Sequence, residues 1–117
     1  MDVTELLDAG LHRVFGNRDA VSRRQAIDEI YTDDVRFEEP EGVSVGRDAL
    51  EGRAAALIDD APEAFGFHEE GARYVGPESG AQAWAFGPEG APVVRGIDVI
   101  TVRDGRIAVL RTILAAA

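Results

Sequence analysis

Glu39 is an acid at the end of an apolar run, in a position suited to proton transfer. Segment 35–40 reads VRFEEP and stops at a proline, which is typical of a short strand near a sheet edge. Residues two apart share one face of a strand, so Glu39 lies with Val35 and Phe37 and points inward. A purely structural role, in which Glu39 reaches solvent or caps a turn, stays open.

Asp98 is a second acid on an apolar strand face. In a strand predicted over 93–102, it lies with a set of small and apolar residues: Val94, Gly96, Ile100 and Val102. Acids between two β-branched residues in mid-strand are uncommon. An aspartate with a structural partner is the alternative interpretation.

Two such carboxyls on one cavity would suit acid–base chemistry. Loss of water raises the pKa of a carboxyl unless a charge or hydrogen bonds compensate. Groups whose environments hold them in different protonation states are candidates for a general acid and a general base. Glu39 and Asp98 are therefore the candidate catalytic residues.

Other chemically capable side chains give weaker signals. His12 and His68 fall away from the apolar faces of their predicted elements and have no metal-ligand spacing, so we expect both at the surface and no metal site. Gln82, Trp84 and Phe86 share one strand face, which is either ordinary core or a pocket wall with one polar group. The chain has no glycine-rich phosphate loop and no nucleophile elbow.

Composition excludes several classes of function. The 117 residues contain no cysteine, which rules out thiol chemistry. All 12 basic residues are arginine, so the chain has no lysine for Schiff-base chemistry. The formal charge of −10 would repel a nucleic acid backbone. The length predicts one domain over 1–117. An acidic N-terminus and the lack of a long apolar run predict a cytoplasmic protein without membrane contact.

The elements that must position the two acids follow from periodicity. Apolar spacings of three and four predict a helix over 4–15, a second helix capped by Asp19, and a third from Arg47 to Pro62. A short extended piece, 43–45, precedes the third helix.

Four further strands are predicted over 65–75, 81–86, 93–102 and 106–114. Asp104-Gly105 predicts a tight hairpin between the last two. The expected architecture is an α+β domain with three helices against one face of a curved antiparallel sheet.

This order of elements resembles the nuclear transport factor 2-like superfamily, in its SnoaL-like and ketosteroid-isomerase-like branch. The segments that carry the resemblance are 31–40 (YTDDVRFEEP), 46–50 (GRDAL), 96–99 (GIDV) and 103–107 (RDGRI). The resemblance covers nearly the whole chain. It implies a cone-shaped domain around a mostly apolar pocket, which is usually dimeric through the sheet.

The resemblance also implies roles for the two acids. The ketosteroid isomerases' proton-shuttling carboxylate falls on Glu39, and their hydrogen-bond donor to the oxyanion falls on Asp98. Their first-helix tyrosine falls near Leu11, which has no proton to donate. We expect the substrate to contact six pocket residues: Leu11, Phe37, Leu57, Trp84, Phe86 and Ile100. Such chemistry needs no cofactor and no metal.

The sequence therefore predicts an isomerase or cyclase that removes a proton α to a carbonyl of a small apolar molecule. The alternative is a non-catalytic module for ligand binding or dimerisation. The Asp-Arg-Asp set of limonene epoxide hydrolase is not matched. Strand 81–86 lacks the arginine and one of the aspartates, and Thr112 stands where the other aspartate would be. Val93, Ile97 and Val99 on the outer face of one strand predict a homodimer.

Overall fold

The computed structural model describes residues 1–116, and its helices lie in the first half of the chain. They are α1 (Val3–Ala9), a π-helical segment (Gly10–Phe15) that continues it, α2 (Ala20–Ile30) and α3 (Arg47–Ile58). The predicted cap is confirmed, because the Asp19 side chain accepts a hydrogen bond from the backbone of Ser22. None of the helices within 1–116 has the length and apolarity needed to cross a membrane.

Six strands form one open sheet. They are β1 (Tyr31–Glu39), β2 (Gly42–Val45), β3 (Gly66–Val75), β4 (Ser79–Gly87), β5 (Val94–Arg103) and β6 (Arg106–Leu114). Their order across the sheet is β2-β1-β6-β5-β4-β3. The predicted β5–β6 hairpin is confirmed, and Asp104 adopts the positive φ of 54° that its turn requires. The architecture is α+β, with three helices packed on the sheet.

The sheet is mixed, whereas an antiparallel sheet was expected. Strand β1 pairs with β6 in parallel, with Phe37 opposite Leu110. The β5–β6 hairpin fixes the direction of β6, and its remaining edge then receives β1 from the other half of the chain. This pairing places the carboxyl ends of β1 and β6 side by side at one end of the sheet.

The first helix also differs from the expected regular helix over 4–15. Its second half is π-helical, with the Gly16 amide donating to the Leu11 carbonyl five residues earlier at 2.7 Å. Gly10 is the first residue of this segment, and it lets the helix approach Tyr31 closely, since a Cβ at position 10 would lie 3.2 Å from the Tyr31 hydroxyl. The wider turn carries Leu11 and Phe15 along the face that packs towards the sheet.

Helix α1 closes one end of the sheet. A Cβ at Gly80 of β4 would lie 2.6 Å from Val3 and 3.1 Å from Leu7, so the helix approaches the strand directly. Ile100, which pairs with Gly80 across β4 and β5, is consequently in the hydrophobic core. At the other end the helices and the sheet diverge and leave space for a site.

Candidate functional site

A cavity of about 360 Å³ opens between the helices and the diverging end of the sheet. Its volume is near the small end of the range for ligand pockets, about 300–1,000 Å³. The walls are mainly apolar. Packed aromatic pairs stiffen them: the Phe67 and Trp84 centroids are 5.3 Å apart and those of Phe15 and Phe37 are 5.5 Å apart. Rigid apolar walls favour a small apolar ligand.

The cavity brings together most of the residues predicted for a site. Glu39 and Asp98 both line it. Five of the expected substrate contacts also line it: Leu11, Phe37, Leu57, Trp84 and Phe86.

Ile100 is the exception among the expected contacts. It is 1% exposed, belongs to the hydrophobic core and does not line the cavity. Ile100 lies on the same face of β5 as Asp98, but it is two residues closer to the end of the sheet that α1 covers. Position along the strand, rather than face, separates cavity from core here.

Asp98 is held by two neutral donors from the strands on either side of β5. The indole Nε1 of Trp84 on β4 donates to Asp98 Oδ1 at 3.0 Å, and the hydroxyl of Thr112 on β6 donates to the same oxygen at 2.8 Å. Within residues 1–116, no cationic side chain pairs with Asp98 and no protein donor contacts its Oδ2. The second oxygen is therefore the polar group that Asp98 can offer to a ligand.

The surroundings of Asp98 change its acidity. Burial against the aromatic wall raises the pKa of Asp98 to about 6 from the ordinary 3.8, while the hydrogen bonds from Thr112 and Trp84 partly oppose the rise. The direction agrees with the expectation for an aspartate on an apolar face without a cationic partner. Such a carboxyl can hold or release a proton within the range in which many enzymes work.

Gly96 allows Trp84 to reach Asp98. Gly96 and Trp84 are paired across β4 and β5. A Cβ at position 96 would lie 2.7 Å from the Trp84 ring and 2.8 Å from the Ile113 carbonyl. Any larger residue would displace either the indole ring or the β6 backbone.

We predict that Gly96→Ala destabilises the protein by about 1–3 kcal/mol, because the added methyl group must displace the indole ring or the β6 backbone. Gly52→Ala is the matched control: Gly52 is exposed on α3 with no atom near its missing Cβ, so alanine should stabilise the protein by about 0.5–1 kcal/mol. Urea unfolding of both variants gives the comparison. Equal effects of the two substitutions would show that the ring is not tightly seated.

Glu39 is bound by an arginine and by a turn. Its side chain is 7% exposed; Arg53 of α3 donates to Oε1 at 3.2 Å, and the backbone amide of Glu41 donates to Oε2 at 3.1 Å. Arg53 also donates to Glu41 at 2.9 Å. The β1–β2 turn is thereby fixed to α3 at the edge of the cavity. The charged residues within 1–116 that line the cavity are all acids: Glu39, Glu41 and Asp98.

The weaker candidates lie outside the cavity. His12 is 44% exposed at its side chain and contacts Glu69 at 2.9 Å, and His68 is also exposed. Gln82 is buried, but it accepts a hydrogen bond from Arg73 at 2.9 Å and does not line the cavity. We therefore do not place these three residues in the candidate site.

Two residues of the site were missed in the sequence. Thr112 lies two residues from Leu110 and from Leu114, so strand parity places it on the inner face. Arg53 lies three residues after Leu50 and four before Leu57, at the edge of the buried stripe of α3. In both cases a polar residue on an apolar face was the available signal.

The first-helix tyrosine that the resemblance implies has no counterpart among the cavity-lining residues within 1–116. Leu11 lines the wall as expected. The buried tyrosine nearby is Tyr31, whose pKa is raised strongly by burial and, to a smaller degree, by the charge of Asp98. Tyr31 is not among the lining residues and lies against Gly10, so its hydroxyl does not take the missing position.

Solved structures share this fold. A protein from Agrobacterium tumefaciens strain C58, provisionally assigned as an isomerase of the SnoaL-like family, aligns with a TM-score of 0.87 at 19% identity over 97% of both chains. A SnoaL-like polyketide cyclase, also a provisional assignment, from Jannaschia sp. CCS1 gives 0.73 at 17% identity over 95% of this chain and 85% of its own. A provisionally assigned ketosteroid isomerase from Kribbella flavida gives 0.74 at 16% identity over 97% and 77%.

Sequence comparison gives the family directly. No curated protein matches the chain significantly. The model of the SnoaL-like domain matches residues 9–110, which span the π-helical segment, both later helices and almost the whole sheet. This chain therefore belongs to the family of SnoaL-like domains.

Proposed function

We propose that the protein is a cofactor-independent enzyme of the isomerase or cyclase type, which moves a proton at the carbon α to a carbonyl group. The observation that carries this proposal is the presence of Glu39 and Asp98 in one apolar cavity, with Asp98 Oδ2 free of protein donors. The isomerase and cyclase assignments of proteins with this fold agree with it.

In the proposed reaction, Glu39 is the base and Asp98 the hydrogen-bond donor. The substrate C–H bond breaks, its proton passes to a Glu39 oxygen, and its electron pair moves onto the carbonyl oxygen to form an enolate. Protonated Asp98 donates from Oδ2 to that oxygen and stabilises the developing charge. Glu39 then returns the proton to another carbon. Alternatively, the enolate carbon attacks a second carbonyl and closes a ring, and the alkoxide that forms takes the proton back from Glu39.

The hydrogen bonds of Glu39 are compatible with a base. A carboxylate has about four lone-pair sites, and Arg53 and the Glu41 amide occupy two. The ion pair between Glu39 and Arg53 also favours a second candidate function, the non-catalytic binding of a small apolar ligand. In that function Arg53 holds Glu39 as a purely structural group. The two candidates differ in whether α-protons exchange.

Proton exchange in deuterium oxide tests the proposal. A panel of small apolar ketones and 1,3-dicarbonyl compounds is incubated with the protein, and the loss of each α-proton signal is followed by NMR. We expect exchange faster than in buffer for compounds that fit the cavity. Saturable binding of these compounds with no acceleration of exchange would support the binding module instead.

We also propose that the protein forms a homodimer through the outer face of the sheet. Ile97 and Ile113 form a cross-strand pair and are 44% and 57% exposed, and Val93, just before β5, is 65% exposed. Exposed apolar side chains of this kind on a sheet face favour self-association.

Ile97→Asp should therefore yield a monomer at micromolar concentration, because the carboxylate would be buried unpaired in the interface. Val21→Asp, at a 70% exposed position on α2, is the control that should leave the dimer intact. Light scattering measures both, and a wild-type protein that is monomeric across micromolar concentrations would contradict the proposal.

A further inference from the structure

The carboxyl group of Asp98 is held asymmetrically. Both hydrogen bonds reach Oδ1, one from Trp84 at 3.0 Å and one from Thr112 at 2.8 Å. The donors belong to different strands, one on each side of β5. Exchange of the two oxygens by rotation about the Cβ–Cγ bond would break both hydrogen bonds at once, so the orientation of the carboxyl is fixed by its neighbours.

The arrangement follows from strand register. Thr112 lies directly opposite Asp98 in the β5–β6 pair, and Trp84 lies opposite Gly96, two residues away in the β4–β5 pair. The absence of a side chain at Gly96 lets the indole cross β5 diagonally towards Asp98. The sheet therefore delivers two donors to one oxygen.

Two donors on one oxygen decide where a proton binds. The lone pairs of Oδ1 already accept hydrogen bonds, so the proton of the acid form is held by Oδ2. Oδ2 lacks a protein donor within residues 1–116, and Asp98 lines the cavity. A proton held there is the one that Asp98 has available for a ligand in the cavity.

We infer that Trp84 and Thr112 are positioning residues, which orient the Asp98 carboxyl so that Oδ2 presents its proton to the oxygen of a substrate. The inference rests on the proposed function for its catalytic meaning. Its structural content can be tested on the ligand-free protein, where it does not depend on any reaction.

The first experiment follows the titration of Asp98 by carbon NMR of its carboxyl. Thr112→Val keeps the side-chain shape and loses the hydroxyl, whereas Thr112→Ser keeps the hydroxyl. Loss of one donor to the carboxylate should raise the pKa of Asp98 by about half to one pH unit in Thr112→Val, with Thr112→Ser close to wild type. Trp84→Phe, which loses Nε1 and keeps an aromatic ring against Phe67, should act in the same direction.

The second experiment uses naphthol, a flat apolar probe whose single oxygen stands for that of an enolate. At about pH 5, below the Asp98 pKa of about 6, Asp98 is mostly protonated in wild type and variants alike. Under that condition Thr112→Val should weaken naphthol binding about three- to tenfold, and Thr112→Ser should restore the affinity. If Trp84→Phe does not fold, the two Thr112 variants decide the question alone.

The inference is overturned if Thr112→Val leaves both the Asp98 titration and the naphthol affinity at wild-type values, or if Thr112→Ser fails to restore them. It is supported if both readouts move and are restored. If they move as expected while the wild-type protein exchanges no α-protons, the positioning roles stand and the proposed reaction fails.

Discussion

Glu39→Gln is expected to lower the rate of α-proton exchange by about 10²–10⁴-fold, the usual contribution of a positioned general base. The amide cannot take up a proton at neutral pH, although it fills the same space. The fold should survive, because Arg53 retains its hydrogen bond to Glu41 when Glu39 loses its charge. The exchange assay with the best ketone of the panel gives the comparison.

Glu38→Gln is the matched control for this substitution. Glu38 is the adjacent residue of β1, but its side chain pairs with Arg36 at 3.2 Å and Arg111 at 3.4 Å and does not line the cavity. The same change of charge there should leave the exchange rate unchanged. Equal losses in the two variants would mean that the general charge of β1, rather than a base in the cavity, controls the rate.

Asp98→Asn is expected to stabilise the protein by an amount that grows as the pH rises from about 4 to about 6 and is nearly constant above that. Because the folded pKa of Asp98 is about 6 and the ordinary value is 3.8, the folded state retains the proton longer. Ionisation of Asp98 therefore costs stability, beginning above the unfolded pKa and complete above the folded one. At 1.36 kcal/mol for each pH unit of difference, the cost at about pH 8 is on the order of 3 kcal/mol.

The asparagine removes this cost and preserves the hydrogen bonds. Its amide oxygen can accept from Trp84 and Thr112, and its amide nitrogen replaces Oδ2 at the cavity. Thermal melts should show the variant several degrees above wild type at about pH 8, with the difference shrinking as the pH falls to about 4. A variant that melts below wild type at neutral pH would identify Asp98 as a structural aspartate with an ionised form that the fold stabilises.

Much of the architecture could be predicted from local patterns. The 3.6-residue periodicity located α2 and α3, and alternation together with Asp104-Gly105 located the β5–β6 hairpin. Strand parity also placed Asp98 and Phe37 on the cavity side, because one face of a strand is a local property of the sequence.

The features that were missed depend on contacts between distant segments. The parallel pairing of β1 with β6 joins segments from the two halves of the chain, and Gly10 in the π-helical segment packs closely against the Tyr31 hydroxyl at the start of β1. The depth of Ile100 depends on where α1 crosses the strands. The ion pair of Glu39 with Arg53 needs the packing of α3 against β1, which no spacing within either segment determines.

The most direct test of the account is the pH dependence of proton exchange, measured as kcat/KM after subtraction of the buffer reaction. If Glu39 is the base and protonated Asp98 the donor, kcat/KM falls as the pH rises through the Asp98 pKa of about 6. In Asp98→Asn, which has no proton to lose there, that fall is absent. A wild-type kcat/KM that instead rises through about 6 would contradict the account, because the ionised Asp98 would then be the active form.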